Sequence, residues 1–187
     1  MLFSWVILFL AGASASRADE IEYVGSKKCK MCHIKQYNSW KKTKMAQALE
    51  VLKPGEAVEA KETHGIDPDS DYTADSECLQ CHTTGYGKPG GFVSVDETPG
   101  MAGVGCESCH GPGGQYLETD LMSLKNKDHS LESVREAGLI YPVVEETCMS
   151  QCHNENSPFF SKDEPFDFEK RKSQGVHESV PLRYKHE

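Results

Sequence analysis

Three stretches of the chain share one pattern: Cys29-Lys-Met-Cys32-His33, Cys78-Leu-Gln-Cys81-His82 and Cys106-Glu-Ser-Cys109-His110. Cys148-Met-Ser-Gln-Cys152-His153 repeats it with one extra residue between the cysteines. All 8 cysteines of the chain fall in these four motifs. A histidine locked to a cysteine pair is the attachment signature of c-type haem. The two thiols add to the two vinyl groups of a porphyrin, and the imidazole that follows turns to the iron. A three-residue step on a helical turn carries both sulfurs to one side. A zinc knuckle leaves the residue after its second cysteine free. A disulfide framework suits a secreted chain but leaves the four adjacent histidines unexplained. In the fourth motif the extra residue requires a bulge; a disulfide or metal site at Cys148 and Cys152 is the competing reading there.

The elements that must carry these motifs look short. Motif starts at 29, 78, 106 and 148 have no repeat period, so the chain is no solenoid. Tyr37, Trp40, Met45, Ala48 and Leu49 recur near helical spacing and predict a helix from about Ile34 to Leu52, ended by Pro54-Gly55. Asp67-Pro-Asp-Ser-Asp71 predicts a turn and cap cluster leading to the second motif. Residues 83–105, rich in Gly, Thr and Pro, read as a loop or short hairpin around Gly90-Gly91. Ser130 and Gly138 bracket a further helix as N-cap and stop. The tail after Ser157 reads as extended until about Phe168.

Hydrophobic residues make up 37% of the 187, below the usual ~45–50%, and mean hydropathy is −0.56. Four porphyrins, one per motif, would supply the missing apolar interior. The expected fold is therefore mainly α with extensive irregular loops, its core filled by haem. One domain over residues 19–187 follows a leader at residues 1–18. That leader, Met1-Leu-Phe-Ser-Trp-Val-Ile-Leu-Phe-Leu, runs into Ala13-x-Ala15 and Ser16-x-Ala18 cleavage patterns, as in a secretory signal peptide. An uncleaved N-terminal anchor is the competing reading, and a periplasmic location is the expectation. Without the leader no membrane span is expected.

Charge is distributed unevenly. Lys27, Lys28, Lys30, Lys35, Lys41, Lys42 and Lys44 lie between Gly25 and Leu49 with no acid among them. Between Glu50 and Glu77 nine acids face only Lys53 and Lys61. A lysine face beside the first motif suits docking of an acidic redox partner protein; a solvated helix face that neutralises propionates is the plainer alternative. A net charge of −9 gives no support to nucleic-acid binding.

The stretches Lys27 to Trp40, Asp71 to Gly91 and Gly103 to Gly113, with their motifs, resemble the tetrahaem cytochrome c-554 family. The likeness is close over about residues 25–115 and loose beyond. It implies a mostly helical fold of irregular loops, haems in stacked pairs, and periplasmic electron transfer. Numbering haems by motif, it also implies second axial ligands. In the family a histidine twelve residues after the first motif's histidine ligates haem 3; Met45 stands there in this chain. The resemblance thus gives haem 3 the pair His110 and Met45, and a thioether favours ferrous iron. His177 corresponds to the family's late ligand of haem 4, with His186 as competitor. The family's haem 1 ligand falls at Asp120, and His129 is the nearest histidine. The family leaves haem 2 five-coordinate; His64 would either close it or sit solvated in its acidic loop.

Three functions stay open on these residues. The first is a soluble carrier passing single electrons through four c-type haems. The second is a small enzyme acting on a nitrogen oxide at an open haem 2, although no acid–base set stands out for it. The third is a subunit of an extracellular cytochrome wire or a membrane complex.

Overall fold

A short helix forms at each cysteine motif. The structure is a computed structural model that describes residues 20–118, 120–123, 125, 126, 128–174 and 176–181. The expected leader at residues 1–18 and His186 lie outside the described residues. Helix α1, Ser26–Lys30, carries Cys29; α4, Ser76–His82, holds the whole second motif; α5, Cys106–His110, is the third motif. Helix α7, Glu145–Met149, opens the fourth. Helices α2 (Ile34–Trp40), α3 (Val58–Thr63), α6 (Leu131–Glu136) and α8 (Phe168–Gln174) fill the intervals between and after them. All have 5 to 7 residues, well under the ~12–15 at which an isolated helix becomes marginally stable in water. Among the described residues there is no β-strand, only an isolated bridge between Thr83 and Ala102. The expected helical, loop-rich class is what forms.

Tertiary hydrogen bonds set the helix ends. Asp75 caps α4 by accepting from Glu77 N (2.8 Å) and Cys78 N (3.4 Å), so the expected cap cluster ends in a working N-cap. Ser130 caps α6 through Ser133 N (3.1 Å), and Gly138 leaves that helix at φ +100°, as the sequence predicts. The start of α5 is held from outside: Gly105 N donates to Thr84 Oγ1 (2.8 Å) and Cys106 N to Ser26 Oγ (3.1 Å).

The helix expected from 34 to 52 breaks. α2 stops at Trp40, and the chain continues as turns to a 3₁₀ segment at Glu50–Leu52. Thr43 explains the break. Its Oγ1 donates to Trp40 O (2.7 Å) and accepts from Ala46 N (3.3 Å), competing with helical backbone bonds. The backbone answers with i→i+3 bonds, Thr43 N to Trp40 O and Ala48 N to Met45 O. Trp40 Nε1 donates to Val104 O (2.9 Å), which ties this stretch to the approach of the third motif. The apolar periodicity is real, but it follows a tighter winding. There Gly103 (φ +80°) passes so close to Ala46 that a Cβ would lie 2.4 Å from Ala46 O, so only glycine fits.

Among the described residues the buried apolar side chains form two small clusters rather than one core. Leu49, Leu52, Leu79, Phe92 and Met101 pack together beside α4. Tyr116, Val134 and Ala137 pack under α6. The most buried acid belongs to neither. Glu107, inside the third motif, is 1% exposed. Its Oε1 accepts from Val24 N (2.9 Å) and Gly113 N (2.7 Å), and its Oε2 from Gly25 N (2.7 Å). A buried carboxylate is costly unless such donors replace its water. Glu107 thus joins the segment before α1, α5 itself and the loop after α5. Glu107→Gln keeps the shape but turns an amide donor toward backbone donors. It is expected to destabilise the folded protein by about 2–3 kcal/mol, read as a lower denaturation midpoint with unchanged m-value.

Candidate haem sites

All eight cysteines are free thiols. In the first motif the backbone folds so that His33 N bonds Cys29 O (2.9 Å). In the fourth, His153 N bonds Cys148 O (3.0 Å) despite the extra residue. The expected bulge is thus absorbed within one wider turn, and both motifs return the histidine amide to the carbonyl of their first cysteine. That closure keeps two thiols and one imidazole in a common frame, which covalent attachment and axial ligation require.

The motifs meet across the chain in twos. The thiols of Cys29 and Cys106 lie within hydrogen-bond reach of each other, as do those of Cys81 and Cys152. The shared proton lowers the accepting thiols, Cys106 and Cys81, to about 7, and raises the donors Cys29 and Cys152. Burial pushes Cys109 up to about 11. Among the described residues no three or more His, Cys, Asp or Glu side chains converge to cage a bare ion.

The histidines that follow the cysteines are oriented by their surroundings. His82 Nδ1 bonds Ala48 O at 2.6 Å, and His110 Nδ1 bonds Ile140 O at 3.2 Å. A carbonyl partner makes Nδ1 the protonated nitrogen and leaves the Nε2 lone pair for a metal. His153 stacks on Phe166 with centroids 4.0 Å apart; the Phe166-x-Phe168 pair is visible in the sequence, but its role is not. Apolar side chains lie exposed beside the motifs: Met31 (70%) and Ile34 (53%) around the first, Tyr141 and Val144 ahead of the fourth, Phe159 after it. Exposed apolar residues at the edges of the first and fourth motifs fit a porphyrin that covers them.

The four candidate second ligands have different surroundings. His129 is buried just before the Ser130 cap, its Nδ1 3.3 Å from Asn126 O. Met45 is half-buried, and its carbonyl accepts from Val104 N (2.9 Å), next to the third motif. His64 is exposed at the end of α3, its ring 4.4 Å from that of Phe159. His177, which the resemblance assigns to haem 4, has its ring 6.4 Å from that of His110, the third motif's histidine. Glu178 N donates to Ser39 Oγ (2.9 Å), and this bond draws the tail onto α2. Sequence reasoning missed Glu107. Its only trace is an acid inside a motif flanked by glycines, which supply close-approaching amides.

Helical turns bearing Cys and His in this frame, within a loop-rich fold, define a multihaem c-type cytochrome. The comparisons agree. A family model described as cytochrome c554 and c-prime matches residues 28–111. Cytochrome c-554 of Nitrosomonas europaea is 45% identical over 109 residues, 58% of this chain and 46% of that protein; the matched region thus spans about half the length of that relative. The solved structure of the reduced state of cytochrome c554 from the same organism superposes with a TM-score of 0.76 at 30% identity, covering 90% of each chain. The chain belongs to the cytochrome c-554 family, and its cofactor is haem c.

Burial lowers the proton affinity of His33, His110 and His153.

Proposed function

We propose that the protein is a periplasmic electron carrier with four covalently bound haems. Cys29 and Cys32, Cys78 and Cys81, Cys106 and Cys109, and Cys148 and Cys152 tether them. His33, His82, His110 and His153 are the first axial ligands, and His129 is the candidate second ligand of haem 1. The observation that carries the reading is the histidine-closed turn at the cysteine motifs, paired through facing thiols. When bound, the haems supply reversible one-electron exchange at iron. The chain's own part is positional. The Nδ1 bonds to Ala48 O and Ile140 O fix two rings, and the Cys29–Cys106 and Cys81–Cys152 approaches bring motifs together in twos. Motifs held this close would place neighbouring haems, once attached, within reach of each other for electron exchange.

Partner docking belongs to the same reading. Lys27, Lys28, Lys30, Lys35, Lys41, Lys42 and Lys44 are all exposed around the first motif. They form a positive face through which an acidic redox protein reaches haem 1. Among the described residues no helix is long and apolar enough to cross a membrane, which suits a carrier that meets its partners by diffusion.

The primary test is the mass of the exported protein. It should exceed the polypeptide by four haems, with a sharp reduced α band, and each double Cys→Ser variant should lack one haem. A wild-type mass without added haem would end the proposal. For docking, Lys41→Glu with Lys42→Glu should slow electron exchange with an acidic partner about tenfold at low salt, the difference fading as salt rises. Equal rates at low salt would remove the lysine face from the account.

A further inference from the structure

We propose that the carboxylate of Glu107 sets redox potential: it holds down that of the haem tethered at Cys106 and Cys109, and that of the neighbouring haem at Cys29 and Cys32. The inference rests on haem attachment at these two motifs. Glu107 stands between the two cysteines of α5 and is 1% exposed. It also reaches the other motif. Its Oε1 accepts from Val24 N (2.9 Å) and its Oε2 from Gly25 N (2.7 Å), directly ahead of α1. Gly113 N (2.7 Å) completes the set. All three partners are neutral backbone donors. Among the described residues no lysine or arginine forms an ion pair with it. The hydrogen bonds therefore stabilise the charge without cancelling it.

Reducing a ferric haem removes one positive charge at iron. A fixed negative charge nearby attracts the ferric form more than the ferrous form, and so opposes reduction. Burial decides which charges count. Lys27, Lys28 and Lys30 flank Cys29 but are exposed, where water and salt screen them; a buried charge is screened far less. The reach of the Glu107 charge is visible in the thiols. Behind their mutual hydrogen bond and their burial, it opposes ionisation of Cys29 and Cys106, one from each motif. It bears on no cysteine of the second or fourth motif. Its influence is confined to one pair of motifs, so its loss moves two potentials of the four.

Glu107→Gln in the haem-loaded protein removes the charge at nearly constant shape. Redox titration is expected to show two potentials raised and two unmoved. The larger rise should be about tenfold in the ferrous-to-ferric ratio at fixed potential, which is about 59 mV for one electron. The double variant Cys106→Ser, Cys109→Ser identifies the third motif's component by its absence. Glu107→Asp keeps the charge. It is expected to lower the denaturation midpoint while its potentials stay near wild type. Unchanged potentials in Glu107→Gln, or an equal shift in Glu107→Asp, overturns the proposal. If Glu107→Gln does not load its haems, infrared spectroscopy decides, because a charge that acts on iron is acted on by it. The reduced-minus-oxidised difference spectrum of wild type is expected to contain a carboxylate band that Glu107→Asp displaces; identical spectra overturn the proposal. A wild-type mass with four haems beside unmoved potentials leaves the carrier reading standing and removes only this one.

Discussion

A single buried carboxylate holds the arrangement together. Glu107 sits inside the third motif and satisfies backbone amides on two other segments, at Val24, Gly25 and Gly113. Once these amides are engaged, Ser26 lies where its hydroxyl can receive Cys106 N, and α1 follows with Cys29 against Cys106. The first and third motifs are therefore brought together by an acid that belongs to one of them. Because the donors are backbone, the contact depends on chain path more than on neighbouring side-chain identity. An uncompensated acid at that depth would cost several kcal/mol, so the fold and the satisfied carboxylate stand or fall together.

Around that anchor the polypeptide supplies little apolar material of its own. The two clusters, one beside α4 and one under α6, are too small to order so many brief helices, and the helices are too brief to order themselves. What remains is a set of well-placed polar bonds and exposed apolar edges. Such a chain gains most of its stability from what it binds, which couples folding to cofactor attachment. Lys61 illustrates the thrift of the polar part. Although buried, it donates to Lys53 O (2.8 Å) and lies 5.5 Å from the Tyr72 ring, so it fixes the loop below the acidic run without an ion pair.

The attachment residues were legible because covalent chemistry demands fixed types at fixed spacing, and the Ser130 and Asp67–Asp71 signals were legible because capping is local. The path between motifs was not. Apolar spacing from Tyr37 to Leu49 fits either α-helical or tighter winding, and the choice fell to the Thr43 hydroxyl, whose competition with the backbone leaves no periodic mark. The position of His177 was hidden for a different reason. It depends on a bond between Glu178 and Ser39, 139 residues away, and no local pattern encodes so distant a partner. Glu107 was likewise hidden, because two of its three donor amides, at Val24 and Gly25, come from a segment more than 80 residues away.

Cys29 meets Cys106 and Cys81 meets Cys152, so the two partnerships interleave along the chain instead of nesting or following one another. A polypeptide emerging N-terminus first completes the earlier partnership while the later one still lacks its final member. Any cut between Cys81 and Cys106 severs both. A fragment ending in that interval would therefore carry neither partnership complete, whichever side of the cut it came from.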